Sequence, residues 1–320
     1  MTHTLTAQVH CAGWYRLEKT KIDTDGQPIE STRTVVADWF PNLITDAGLD
    51  LMATASNWLS ACHVGSGSAA PAVSDTRLQA RIGSSSTRQD SKRESLPDQG
   101  YAYLRQTYRF TAGTATGNIS ELGIADSTNG DSYTLLSRAL VLDANGQPTT
   151  ITVLADEVLD VTYEFRLYAP TTDGSGGLTL GGSGTTHRWT SRACDLGRGS
   201  TPWDDTLGQA WRCHNEGYSW FGRVLADAQL LDRKANPTTA DSRQATSVNR
   251  QAYTAGSHTV DFAFFCDLND GNVSGGIGWV GMSGSFGAYQ WVFEPKIAKT
   301  AAQKLTLNLR LSWARQENIP

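Results

Sequence analysis

Leu159-Asp160-Val161-Thr162-Tyr163-Glu164-Phe165-Arg166-Leu167-Tyr168-Ala169 sets Leu159, Val161, Tyr163, Phe165 and Leu167 on one parity and Asp160, Thr162, Glu164 and Arg166 on the other. Side chains of a strand alternate between faces, so this pattern predicts a β-strand with one buried side. A helix would scatter the same residues round its circumference. The pattern returns near the other end of the chain. There Leu305, Leu307, Leu309, Leu311 and Trp313 alternate with Lys304, Thr306, Asn308, Arg310 and Ser312.

The surroundings of the two strands also correspond. Gly117-Asn118-Ile119-Ser120 and Leu122-Gly123-Ile124 precede the first; Gly271-Asn272-Val273-Ser274 and Ile277-Gly278-Trp279 precede the second. Before each lies an aromatic strand, Tyr108-Arg109-Phe110 or Phe262-Ala263-Phe264-Phe265. The repeated order implies an internal duplication. The expected fold is all-β: two tandem β-sandwich-like domains, with a short helix in the N-terminal half and long loops. Residues 1–172 form the first domain and 185–320 the second. The stretch between them, 173–184, is rich in Gly and Ser and reads as a flexible linker.

The 320 residues suffice for two cores. Charged residues are 18%, below the usual figure of about 25%. The formal net charge of −5 offers nothing to a phosphate backbone, so no nucleic acid is expected as a partner. No apolar run is long enough to span a bilayer, and no signal peptide is recognisable in the first twenty residues. The five cysteines, Cys11, Cys62, Cys194, Cys213 and Cys266, are odd in number and irregularly spaced, which argues against a disulfide framework and for synthesis in a reducing cytoplasm.

Along the chain, residues 5–11 alternate as an opening strand. Asp23-Thr24-Asp25-Gly26 and Asp143-Ala144-Asn145-Gly146 are turn signals. Thr45-Asp46-Ala47-Gly48 opens a short helix with Thr45 as N-cap and Leu49 and Met52 on its buried side. Residues 84–100 are polar and charged and read as an exposed excursion. Val224, Leu225, Ala228 and Leu231 stand at helical spacing, predicting a second short helix over 221–231.

Asn42-Leu43-Ile44-Thr45-Asp46-Ala47-Gly48-Leu49-Asp50, followed by Val64-Gly65-Ser66-Gly67, Pro71, Asp75-Thr76 and Leu78, resembles the opening of a group of tailed-bacteriophage tail proteins. Glu121-Leu122-Gly123-Ile124, Leu136-Ser137-Arg138-Ala139-Leu140, Ala155-Asp156-Glu157, Leu159, Val161 and Tyr163 are similar to the same group. The likeness covers roughly residues 40–170. It implies a virion structural protein of the tail tip, baseplate or tail fibre, made in the host cytoplasm and acting in assembly and host attachment. It also implies self-association, expected as a homotrimer, with other tail or baseplate proteins and a bacterial surface receptor or glycan as partners. No catalytic residue is carried over with it.

Chemistry-bearing motifs are sparse. His10-Cys11, Cys62-His63 and Cys213-His214 pair zinc-ligating types, but neighbours on a strand point to opposite faces and seldom serve one ion. No metal site, cofactor or enzymatic activity is therefore expected. Gly-x-Ser-x-Gly is absent, and the glycine-rich stretch lacks the Lys-Ser or Lys-Thr ending of a phosphate loop. Asp204-Asp205, Asp267 and Asp270 are the candidates for a depolymerase carboxylate pair. The series Asp267-Leu268-Asn269-Asp270-Gly271 stops too early for a calcium loop and reads as a β-turn. Seven of the ten tryptophans lie after residue 184. Trp203, Trp211, Tyr218 and Trp220 stand in a polar region and are the candidate recognition residues, since an exposed aromatic can stack on a sugar or anchor a partner. This assigns attachment to the first half and recognition to the second. A carbohydrate-binding, lectin-like module is the competing reading.

Overall fold

The computed structural model describes residues 4–55, 57–130, 132–181, 184–197, 203, 221–236, 243–284 and 286–316. The protein is all-β with one α-helix among the described residues, and no helix there is long and apolar enough to cross a membrane. The chain forms two compact units. The first comprises Cys11–Arg93, Tyr103–Arg166 and Arg315–Pro320; the second comprises Met1–His10, Glu94–Ala102 and Leu167–Ala314. This partition is not contiguous in sequence. Residues near the start group with the second unit because Thr6 O accepts the Trp291 indole N–H and Ala7 O accepts the Ser312 hydroxyl. Residues 94–102 do so through Ser95 Oγ donating to Leu196 O and Ala169 N donating to Gly100 O.

In the first unit the strands are β1 (Thr4–Lys21), β2 (Thr34–Pro41), β3 (Leu43–Ile44), β4 (Ala61–Gly65), β5 (Arg81–Ser85), β6 (Arg88–Leu96), β7 (Tyr101–Phe110), β8 (Gly117–Ile119), β9 (Glu121–Ala125), β10 (Leu135–Leu140), β11 (Ile151–Val153) and β12 (Glu157–Tyr168). One sheet runs β2-β1-β12-β7-β6 and the other β3-β10-β9-β4-β5. The odd residues of β12 are buried, as their alternation requires. Tyr163 packs on Tyr15, Phe165 meets Trp58 edge-on, and Tyr15 Oη bonds Ser137 Oγ on the facing sheet at 3.1 Å. Helix α1 (Asp46–Thr54) starts where expected: the Thr45 hydroxyl caps Gly48 N at 2.8 Å and donates to Leu135 O. The exposed excursion expected over 84–100 is largely strand β6, whose polar, exposed residues reflect its place at the sheet edge.

The second unit adds β13 (Gly174–Thr179), β14 (Thr186–Cys194), β15 (Phe221–Leu225), β16 (Arg243–Gln244), β17 (Ser247–Arg250), β18 (Thr259–Cys266), β19 (Ile277–Gly284), β20 (Gly287–Ile297) and β21 (Leu305–Arg315). One sheet runs β13-β14-β20-β19-β15-β16; the other holds β17, β18, β21 and the start of β1. Trp313 packs against Phe286 and Tyr253 in the core. The helix expected over 221–231 is replaced by β15, in which Val224 pairs with Val280.

A common connection appears in both units. An aromatic strand, β7 or β18, lies beside the closing strand, β12 or β21. The intervening hairpin, β9–β10 or β19–β20, belongs to the other sheet.

The stretch read as a linker is largely β13, paired residue by residue along β14. Its glycines make room for an aromatic ring: a Cβ at Gly176 would stand 2.4 Å from Trp189 Cζ2, and one at Gly174 would stand 2.6 Å from Ser191 Oγ. Composition suggested flexibility where the glycines serve close approach. Gly176→Val should destabilise the protein by about 1–3 kcal/mol, the usual cost of overpacking, whereas Gly181→Ala, with nothing within 4 Å of its Cβ, should be near neutral. Denaturant titration of both variants measures the difference.

Candidate interaction surface and the buried motif network

Four of the residues that carry the resemblance, Gly67, Asp75, Glu121 and Arg138, meet in one network of the first unit. Glu121 is fully buried on β9 and Arg138 nearly so on β10. Glu121 Oε2 accepts from Arg138 Nε at 3.0 Å and Nη2 at 2.8 Å, and from Gln79 N at 3.0 Å. Its Oε1 accepts from Ala80 N at 2.7 Å and Gly67 N at 3.1 Å. Arg138 also donates to Asp75 Oδ2 at 2.8 Å and Ala69 O at 3.0 Å. The loop between β4 and β5 thus hangs from one carboxylate. A Cβ at Gly67 would come 2.5 Å from Glu121 Oε1, which accounts for Gly-Ser-Gly at 65–67. Glu121 and Arg138 satisfy each other and the loop backbone, so the network holds structure together. Glu121→Gln should cost about 3–5 kcal/mol by leaving the buried Arg138 guanidinium with Asp75 as its one carboxylate partner, measurable by chemical denaturation.

Cys62 and His63 sit on β4. Burial raises the Cys62 thiol pKa and drives that of Cys11 up to about 12, keeping both protonated at neutral pH. His63 stacks on Tyr133 with ring centres 4.1 Å apart, and its Nε2 bonds Ser127 O at 2.7 Å. Its Nδ1 is buried with no hydrogen-bond partner, so a second ring proton would have no acceptor. Burial therefore lowers the His63 pKa from the ordinary 6.5, the Ser127 carbonyl opposing only in part. A depressed histidine pKa gives stability that is complete above 6.5 and is lost as pH falls below it. Denaturation midpoints measured from pH 7.5 down to 5 should fall, and His63→Asn should flatten that slope.

The candidate recognition residues fare differently. Trp203 is fully buried: its indole N–H donates to Cys194 O at 2.9 Å, its ring lies against Tyr289, and a Cβ on Gly287 would clash with it. It cannot stack on a ligand, which corrects its assignment to a surface. Trp211, Tyr218 and Trp220 lie outside the described residues, as do Cys213, Asp204 and Asp205. The other described tryptophans of the second unit, Trp189, Trp279, Trp291 and Trp313, are also core. A cleft of about 510 Å³ beside Asp227, Arg243 and Asn272 has Trp279 in its wall, but that ring is 1% exposed, with its N–H given to Gln290. Asp270 N donates to Asp267 O, confirming the turn. The ammonium of Lys299 reaches Asp267 O, Asn272 Oδ1 and Thr300 O there.

The exposed tryptophan among the described residues is Trp39 on β2, with 40% of its surface open. It stands on the polar face of the first unit's sheet. The even residues of β12 place two carboxylates there, Asp160 and Glu164, each with a side chain only 2% exposed. Asp160 receives Arg109 bidentately, at 2.8 and 2.6 Å, and Arg33 at 3.1 Å. Glu164 receives Arg105 Nε at 2.8 Å and Arg166 Nε at 2.6 Å. The guanidinium groups then cover aromatic rings. Arg166 lies 3.9 Å above Trp14, Arg105 lies 5.1 Å from Trp39 and 5.3 Å from Tyr103, and Lys92 lies 5.8 Å from Tyr103. Asp38, next to Trp39, is paired with Arg16. Sequence reasoning missed this surface because its parts come from five strands. Its legible signal was the Asp160, Glu164 and Arg166 parity of the opening stretch.

No protein-family model, no curated protein and no solved structure matches this chain.

Proposed function

We propose that this chain is a structural component of a bacteriophage distal tail, in the tail tip, baseplate or fibre, which acts by assembly and by recognition of the host surface. The observation that carries the reading is the meeting of Gly67, Asp75, Glu121 and Arg138, drawn from three separate resemblance motifs, in one network. Those motifs specify a rigid two-sheet scaffold, as expected of a part defined by its surfaces. The all-β build supports the same reading, because sandwich units present broad sheet faces to neighbours. Self-association as a homotrimer and contact with other tail or baseplate proteins belong to this proposal. Recognition is assigned here to the first unit, on the Trp39 face, because the described tryptophans of the second unit are packed inside it. A carbohydrate-binding module working outside a virion is the second reading, favoured by the same exposed Trp39.

Mass spectrometry of purified particles of a phage encoding this chain should find it in stoichiometric amounts, and immunogold labelling should place it at the tail tip. Sedimentation equilibrium of the isolated protein should give three times the chain mass. A monomer found only in the free fraction of the lysate would support the second reading and sink the first.

A further inference from the structure

We infer that the cleft of about 510 Å³ beside Asp227 and Arg243, in the second unit, binds one hexopyranose of a neutral glycan. Its volume falls in the range of about 300–1,000 Å³ usual for small-molecule sites. Leu225, Leu231 and Val273 are half-buried in its lining, whereas Asp227, Gln229, Arg243 and Ser274 are exposed in it. Among the described residues, none of those four polar side chains has a hydrogen-bond or ion-pair partner.

The backbone that carries them is held in place. The loop after β15 lies so close to β19 that a Cβ at Gly278 would stand 2.6 Å from Ala226 O and 2.8 Å from Asp227 O. At the far end of that loop the buried Gln290 amide accepts from Leu231 N and donates to Leu231 O, both at 2.9 Å. On the opposite side Asn272 is fixed by Leu268 O at 2.7 Å and by the Lys299 ammonium at 3.0 Å. A site so ordered binds at little cost in conformational entropy. The first unit shows what the same stretch of sequence does when it is covered. There Gly117-Asn118-Ile119 forms β8, paired with β11; Asn118 accepts from Thr152, and the Ser120 hydroxyl donates to Gly67 O. In the second unit Val273 and Ser274 of Gly271-Asn272-Val273-Ser274 belong to no strand and line the cleft instead.

The lining selects the ligand class. A carboxylate only accepts and a guanidinium only donates, while a sugar hydroxyl does both and so suits Asp227, Arg243, Gln229 and Ser274 alike. The C–H face of a pyranose covers Leu225, Leu231 and Val273. Asp227 and Arg243 are the charged residues of the lining and their charges cancel, so an ion of either sign gains nothing over a neutral ring. An amino acid or peptide would bridge the two charges and leave Gln229, Ser274 and the apolar surface unmatched.

The test titrates the full chain with the methyl glycosides of glucose, galactose and mannose, and with galacturonate, glucosamine and glycylglycine, read by amide NMR and calorimetry. At least one of the three neutral glycosides should bind with a Kd of about 1 mM or below. It should shift the amides of residues 225–231 and 271–274 and keep its affinity as salt is raised. Asp227→Asn and Arg243→Gln should each weaken it by about tenfold, the worth of a hydrogen bond to a charged group. Val273→Trp, which fills the cleft, should abolish binding. Asp227 and Arg243 are exposed and unpaired, so their variants should melt as the parent does. Trp39→Ala should bind as the parent does. No binding of any of the three glycosides, tighter binding of galacturonate, glucosamine or glycylglycine, shifts confined to other residues, or lost binding in Trp39→Ala would each overturn the inference. Absence of the chain from virions would refute the tail role and leave these binding results standing.

Discussion

A strand that buries one face must still dispose of what its other face carries, and in this protein β12 meets both demands at once. Its odd residues supply the ring-on-ring core with Tyr15 and Trp58, where aromatic contact adds to simple area burial. Its even residues include two carboxylates that the adjoining strands shield almost completely. A carboxylate so shielded costs free energy unless it is paired, and each here holds two arginines. The two arginines on Glu164 in turn lie over Trp14, Trp39 and Tyr103. The outer surface is therefore ordered by the same strand that orders the core. Its guanidinium groups are held by buried anchors, which distinguishes them from ordinary solvent-facing side chains.

Glu121 shows the same principle on the facing sheet. Its carboxylate satisfies three backbone N–H groups of one loop and the guanidinium of Arg138 together. Those N–H groups lie in loop segments on both sides of residues 68–78, so one side chain fixes a loop that would otherwise lack a ladder partner. The glycines at 65 and 67 follow from that arrangement, since side chains there would occupy the space of the carboxylate or of the Ala80 carbonyl.

What could be read from the sequence divides along physical lines. Alternation at 159–167 and 305–313 was legible because a period of two is local, as were the Thr45 cap and the Asp143 and Asp267 turns, in which a backbone or side chain bonds its near neighbours. Long-range pairing was not legible. Nothing near Glu121 in sequence announces Arg138 as its partner or counts the loop amides it will hold. Glycine content misled at 173–184 because a glycine chosen for Trp189 to lie upon looks, as a letter, like a glycine chosen for freedom. Val224, Leu225, Ala228 and Leu231 matched a helix by spacing alone, yet tertiary pairing with β19 made the first two a strand. Tryptophan misled most, since the same side chain serves a core and a recognition surface equally well, and only the fold assigned Trp203 inward and left Trp39 outward.

That last distinction decides where recognition is sought. A buried indole contributes by excluding water and cannot exchange that contact for a ligand without opening the core. Trp39 is under no such constraint, since two-fifths of its surface faces solvent. The cation beside it is fixed by an anchor that a ligand need not displace, because Arg105 spends Nε and Nη2 on Glu164. Binding there would leave the Asp160 and Glu164 pairings intact and add contacts only on the outer side. A face assembled in this way can evolve its specificity by exchanging outer residues while the shielded carboxylates keep the arginines aligned, and this makes a sheet surface a serviceable place for recognition in a protein whose motif residues are committed to holding its loops.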